Sequence, residues 1–134
     1  MQMHLELLRA ADREAGDLDG RAEIGVLVLA NDADPLEVSL EGVRRIELHF
    51  PKFSDGRAFS QAFLLRRRRG FQGDIRATGD VLIDQLVQMQ RTGFSSAELR
   101  ADQDIARAQP QFDRFPAYYQ GDAVAPEPLF RKAA

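Results

Sequence analysis

Between Ile24 and Leu29, apolar side chains fill five of six positions, a run that predicts a strand buried on both faces, as in a parallel sheet. It ends in Asn31-Asp32-Ala33-Asp34-Pro35. Asp34 is suited to cap a helix and Pro35 to its first position, so a short helix over 34–41 is predicted, stopped by Gly42. Ile46, Leu48 and Phe50 then alternate with Glu47 and His49 in a second strand, closed by Pro51. From Asp55 the period becomes helical. Ala58, Phe59, Ala62, Phe63 and Leu65 form the apolar stripe, Arg57, Gln61, Leu64 and Arg68 lie mostly off it, and Gly70 stops a helix that reaches about residue 69.

A short strand over 74–77 follows, then a helix capped by Asp80, with Leu82, Leu86 and Met89 in one row, Ile83 and Val87 in the next, and Gly93 at its end. The last strand is expected over 97–100 and the last helix from Asp102 or Asp104. Pro110 kinks or ends it, leaving Phe112, Phe115, Tyr118 and Tyr119 to pack back on the body. Residues 1–23 read as a strand or helical turn with a loose connection, and 121–134 as a loose tail rich in Pro, Gly and small residues. The folded domain is therefore expected over 24–120.

An internal echo supports this division. Asp74-Ile75-Arg76-Ala77-Thr78-Gly79-Asp80-Val81 matches Glu98-Leu99-Arg100-Ala101-Asp102-Gln103-Asp104-Ile105 in the order acid, aliphatic, Arg, Ala, then Asp and aliphatic, and each copy follows a Gly-Phe pair. With the junctions at Asp34 and Asp55, these make about four successive strand-helix units. The fold class is α/β, a single domain with a mainly parallel sheet, open and doubly wound or half-barrel-like. Either winding gathers the junctions on one edge, where ligands bind in such folds: Asn31, Asp32, His49, Lys52, Asp55, Arg57, Arg76, Asp80, Arg100 and Asp102.

Charge and composition narrow the chemistry. With 18 basic and 21 acidic residues, the formal charge of -3 gives no overall attraction to nucleic acid or an anionic membrane. Cysteine is absent, which excludes disulfides, thiolate metal sites and a cysteine nucleophile, and only His4 and His49 are available to a histidine metal site. Neither a metal nor a cofactor is expected. The first residues lack the basic-then-apolar order of a secretion signal and no apolar run is long enough to span a membrane, so a cytoplasmic protein is expected.

Arg66-Arg67-Arg68-Arg69 resembles an anion patch, but successive helical residues point about 100° apart, and a solvated helix end favoured by the dipole accounts for them better. Asp55, Gly56, Arg57, Arg76, Gly79, Asp80 and Arg100 form the candidate anion-binding set, because guanidiniums at neighbouring strand ends beside helix N-termini suit a small oxyanion. The structural alternative is internal pairing of Arg76 or Arg100 with Asp55, Asp80 or Asp102. Ser60, Gln61, Asp84 and Gln85 are candidates for an interaction surface, and His49 reads as a packed or hydrogen-bonded strand residue. Gly70-Phe71-Gln72-Gly73 ends a helix and enters a strand, the reverse of a phosphate loop, and no G-x-S-x-G elbow is present, so no catalytic residue is assigned.

The run DGRAFSQAFLLRRRRGFQGDIRATGDVLIDQLVQMQRTGF resembles the characteristic stretch of a bacterial family of unknown function, domain of unknown function 934: DGR-x-x-S-Q-A, LLR, G-x-x-G-[DE]-[IL]-R-A-x-G-D-V-L-x-D-Q-L and R-x-G-F. The likeness extends to Asn31-Asp32, Phe50-Pro51 and Tyr119-Gln120, while Phe59 stands where many members have a tyrosine. Asp55, Gly56, Arg57, Ser60, Gln61, Arg76, Gly79, Asp80, Asp84 and Gln85 match the family motif. The resemblance implies genes commonly placed beside assimilatory sulfite reductase. It leads to the expectation of an accessory protein of sulfite reduction that contacts the reductase or its electron donor. The alternative is a small enzyme or binding protein for sulfite, sulfate or phosphate. No nucleic acid or membrane partner is expected, and a half-barrel would require a homodimer to cover its sheet edges.

Overall fold

The computed structural model describes residues 4–9 and 25–113. Five parallel strands, β1 (Glu6–Arg9), β2 (Val26–Leu29), β3 (Arg45–Phe50), β4 (Asp74–Gly79) and β5 (Ser96–Leu99), form one sheet in the order β1-β5-β4-β3-β2. Three helices accompany them: α1 (Arg57–Arg67), α2 (Leu86–Thr92) and α3 (Ala108–Asp113). The protein is thus a small single-domain α/β fold. The strands β2 to β5 advance in one direction, and the helices pack side by side, α1 on α2 and α2 on α3. β1 stands outside this succession: it pairs with β5, so the chain passes from one edge of the sheet to the other between β1 and β2.

Alternation within the strands sets the two faces of the sheet. Ile46, Leu48 and Phe50, with Ile75, Ala77, Ala97 and Leu99, join Ala58, Phe59, Ala62 and Leu65 of α1 and Leu86 and Met89 of α2 in the core. The rings of Phe50, Phe59 and Phe94 meet there, with centroids 5.2 to 6.3 Å apart. The other face is mainly polar: Glu47, Arg76, Ser96 and Glu6 share one row with the apolar Val28 across all five strands.

Several boundaries differ from expectation. The first segment, read as a strand or helical turn, supplies β1 beside β5, so among the described residues the sheet has five strands. No helix forms over 34–41. Asp34 closes a turn, its Oδ1 accepting from the Leu36 N–H at 2.9 Å, and Arg69 Nη1 takes up the carbonyls of Pro35 and Val38 at 2.9 Å each. Asp80 does not cap the third unit's helix, which starts with a 3₁₀ turn (Ile83–Gln85) after Leu82 and becomes α-helical only at Leu86. Asp104 caps a 3₁₀ turn (Ile105–Arg107) through Ala106 N, and Pro110 falls within the first turn of α3, where its missing N–H removes no helical bond. Phe115, Tyr118 and Tyr119 lie outside the described residues. β2, expected to be buried on both faces, is an edge strand with Val28 exposed.

Candidate functional site

In a parallel sheet all strand ends of one sense emerge together, so the segments following β2, β3, β4 and β5 form one rim at the carboxyl edge. Hydrogen bonds between side chains and backbone tie these segments into a belt. Asn31 Nδ2 donates to Asp55 Oδ2, while Asp55 Oδ1 accepts the Arg57 N–H at 3.0 Å. Asp80 Oδ2 accepts the Phe53 N–H at 2.8 Å, and Asp80 Oδ1 accepts Arg100 Nη1 at 2.7 Å. Arg100 then grips Asp102 through Nε at 2.6 Å and Nη2 at 2.8 Å. Gln85 donates to the Phe53 carbonyl and accepts from the Leu82 N–H, and Gln103 Oε1 accepts from Ile83 N at 3.0 Å.

The two acids share one guanidinium. The hydrogen bond from Arg100 holds the Asp102 carboxyl down to about 2, and bonds from Arg100 and then from the Phe53 N–H keep Asp80 below the usual carboxylate range. The same pairing raises Arg100. Asp80, Arg100 and Asp102 are therefore all ionised at neutral pH.

The predicted anion set does not converge. Asp80 and Arg100 meet, and Asp55 lies with Arg57, whose Nε stands 3.4 Å from Asp55 Oδ1. Arg76 is elsewhere, because β4 continues two residues beyond Ala77, pairing Thr78 with His49 and Gly79 with Phe50. This puts Arg76 about 10 Å short of the strand end. On the polar face it donates to Ser96 Oγ at 2.9 Å and to Asp74 Oδ2 at 3.3 Å. Gly79 does belong to the edge: its φ of +91° and the proximity of the Phe50 carbonyl leave no room for a Cβ. Gly56, the residue preceding α1, has an ordinary φ of -86° and open space around it.

The interaction candidates separate in the same way. Ser60 and Asp84 are exposed, whereas Gln85 is occupied by backbone bonds. Gln61 is buried at 4% exposure, with Nε2 donating to the carbonyls of Ala30 at 2.9 Å and Ala33 at 2.8 Å, so it pins the β2 exit to α1. Phe63, placed in the apolar stripe, is exposed instead. His49 is exposed, its Nδ1 3.5 Å from Thr78 Oγ1.

Two groups depart from the sequence reading: Arg66, expected with Arg67, Arg68 and Arg69 at a solvated helix end, and Phe53, which was not singled out. Arg66 is an internal staple: Nε donates to the Gly93 carbonyl at 2.8 Å, and Nη1 to those of Phe71 at 2.8 Å and Gly73 at 2.6 Å. Burial lowers its pKa, with Asp74 acting in the opposite direction. Phe53 is the second, a 51% exposed ring on the β3–α1 segment. A large apolar residue between Pro51-Lys52 and Ser54-Asp55 was the available signal.

Among the described residues, no group of three or more His, Asp or Glu is placed to hold a metal ion, and no helix is long and apolar enough to cross a membrane. A family model described as "Bacterial protein of unknown function (DUF934)" matches residues 25–130. Comparison with curated proteins and with solved structures found no match.

Proposed function

Since the chain belongs to this bacterial family of unknown function (DUF934), we propose that it is a non-catalytic accessory protein of assimilatory sulfite reduction that works by contact with another protein. The observation that carries the protein-contact part is the internal pairing of the rim. Arg100 is held between Asp80 and Asp102, and Arg57 lies against Asp55, so an incoming oxyanion would have to displace carboxylates already in place. Motif positions such as Gln61, Gly79, Asp80 and Gln85 fix the shape of the edge instead of offering free reactive groups. The sulfur-assimilation part rests on the gene company that family membership implies. Sulfite reductase should co-purify with the tagged protein and bind it in titration at low salt; absence of association under those conditions removes this reading.

A second reading, binding of sulfite, sulfate or phosphate, is favoured by one feature: Arg57 is 65% exposed in its side chain, in the first turn of α1. Thermal-shift screening of the three anions separates the two. A bound anion at a hundred times its dissociation constant adds about 2.7 kcal/mol to stability, and a null screen eliminates the alternative.

A further inference from the structure

We infer that the carboxyl edge is a docking surface anchored on Phe53, and that its partner is a protein segment presenting an apolar pocket bordered by lysine or arginine. This rests on the protein-contact reading above and adds which residue makes the contact and what chemistry it meets. Phe53 is half exposed, yet its backbone is fixed from both sides: Asp80 accepts its N–H at 2.8 Å and Gln85 donates to its carbonyl. Asp55 N donates to Lys52 O at 3.0 Å and closes the turn around it. A ring held into water on a fixed backbone buries a large apolar area on contact and loses little freedom in doing so, which is how aromatic anchors come to dominate interfaces. Asp80 uses both carboxylate oxygens and Gln85 both ends of its amide, so these two side chains position Phe53.

Charge defines the partner. On the edge segments 30–34, 51–57, 80–84 and 100–104, the exposed charged residues are five aspartates, Asp32, Asp34, Asp84, Asp102 and Asp104, and two cations, Lys52 and Arg57. Arg100 is occupied by two carboxylates. A rim of this sign repels nucleic-acid phosphates and anionic membranes and steers a basic protein face toward Phe53.

The test places the photocross-linker p-benzoylphenylalanine at position 53 of the full chain, in the bacterium that encodes it, and maps the adduct by mass spectrometry. The expected result is one discrete adduct whose partner peptide combines apolar residues with lysine or arginine, its yield falling about tenfold or more when Asp32→Lys and Asp84→Lys are combined. Should that pair impair folding, raising the salt from about 0.05 to about 0.5 M replaces it and should lower the yield in the same direction. No adduct, an adduct with a second copy of this chain, an acidic partner peptide, or a yield indifferent to charge and salt overturns the inference. The partner's identity tests the earlier reading separately: sulfite reductase or its electron donor supports both, whereas another protein of the stated chemistry supports the docking surface and removes the role in sulfite reduction.

Discussion

Arg100 and Asp80 come from different segments, after β5 and after β4, and meet with 2.7 Å between Nη1 and Oδ1. Their contact brings the two matching halves of the internal repeat together, because Arg100 N also donates to the Val81 carbonyl at 3.0 Å. The acid near the end of the first copy is thereby bound to the arginine of the second. The consequence for pH follows from Asp102, held down to about 2, and Asp80, lowered by the same guanidinium and by the Phe53 N–H. Both bind protons less readily in the folded chain than unfolded, where Asp titrates near about 3.9. Asp102 contributes stability above that value and loses it as pH falls from about 4 to about 2, and the lowering of Asp80 acts in the same direction. Asp102→Asn should flatten the fall of the denaturation midpoint in that window, an effect that shrinks in about 1 M salt because the pair faces solvent. An identical acid profile in variant and parent would show that the pairing contributes nothing.

Gln61→Leu should destabilise the chain by about 2 kcal/mol or more, since it strips the carbonyls of Ala30 and Ala33 of a buried donor. Gln61→Glu carries a sharper signature. An ionised carboxylate facing two carbonyls is penalised, so its folded-state pKa is raised and the variant should regain stability as pH falls and the acid becomes a donor. Urea midpoints at about pH 7 and about pH 5 check both; a glutamate variant equally stable at the two values would contradict the packing of this residue.

The four consecutive arginines divide by partner. Arg66→Lys should cost about 1–3 kcal/mol, because one ammonium cannot reproduce bonds to the carbonyls of Gly93, Phe71 and Gly73. Arg68→Lys, at an exposed position, should stay within about 0.5 kcal/mol of the parent. Thermal melts of the two variants side by side decide whether the run is a staple or only a charged helix end.

Much of this architecture was legible because the sequence carries short-range signals strongly. Apolar alternation located β3, Gly93 with φ +118° marked the end of α2, and the echoed junctions pointed to successive parallel units. What failed depended on partners distant in sequence. Asp34-Pro35 has the chemistry of a helix start, but Arg69 binds the carbonyls that helical bonds would have used. Arg76 looked terminal because the end of β4 is set by pairing with His49 and Phe50, which a local pattern does not contain. Gln61 was recoverable: Ala58, Gln61, Ala62 and Leu65 follow the i, i+3, i+4, i+7 row of a helix, and only its polarity argued against burial. Phe53 carries only the weaker signal of a lone large apolar residue between polar neighbours, and the clamp on its backbone comes from Asp80 and Gln85, distant in sequence.

That clamp makes the last prediction a matter of which atoms are shared. Asp80 and Gln85 hold the backbone of Phe53 and not its ring, so Phe53→Ala keeps every bond of the belt and removes a ring that is half exposed. Its stability should stay within about 0.5 kcal/mol of the parent. Gly79→Ala should behave in the opposite way: at φ +91° a Cβ is strained and meets the Phe50 carbonyl, the group that also accepts the Asp80 N–H at 2.8 Å. A loss of about 1–3 kcal/mol is expected. Hydrogen exchange adds the spatial detail, with faster exchange at the Phe53 and Asp80 amides in Gly79→Ala and parent-like rates at the Asp80 amide in Phe53→Ala. If both variants were equally destabilised, the Phe53 ring would be part of the folded core, and the separation between a rigid rim and an exposed anchor would not hold.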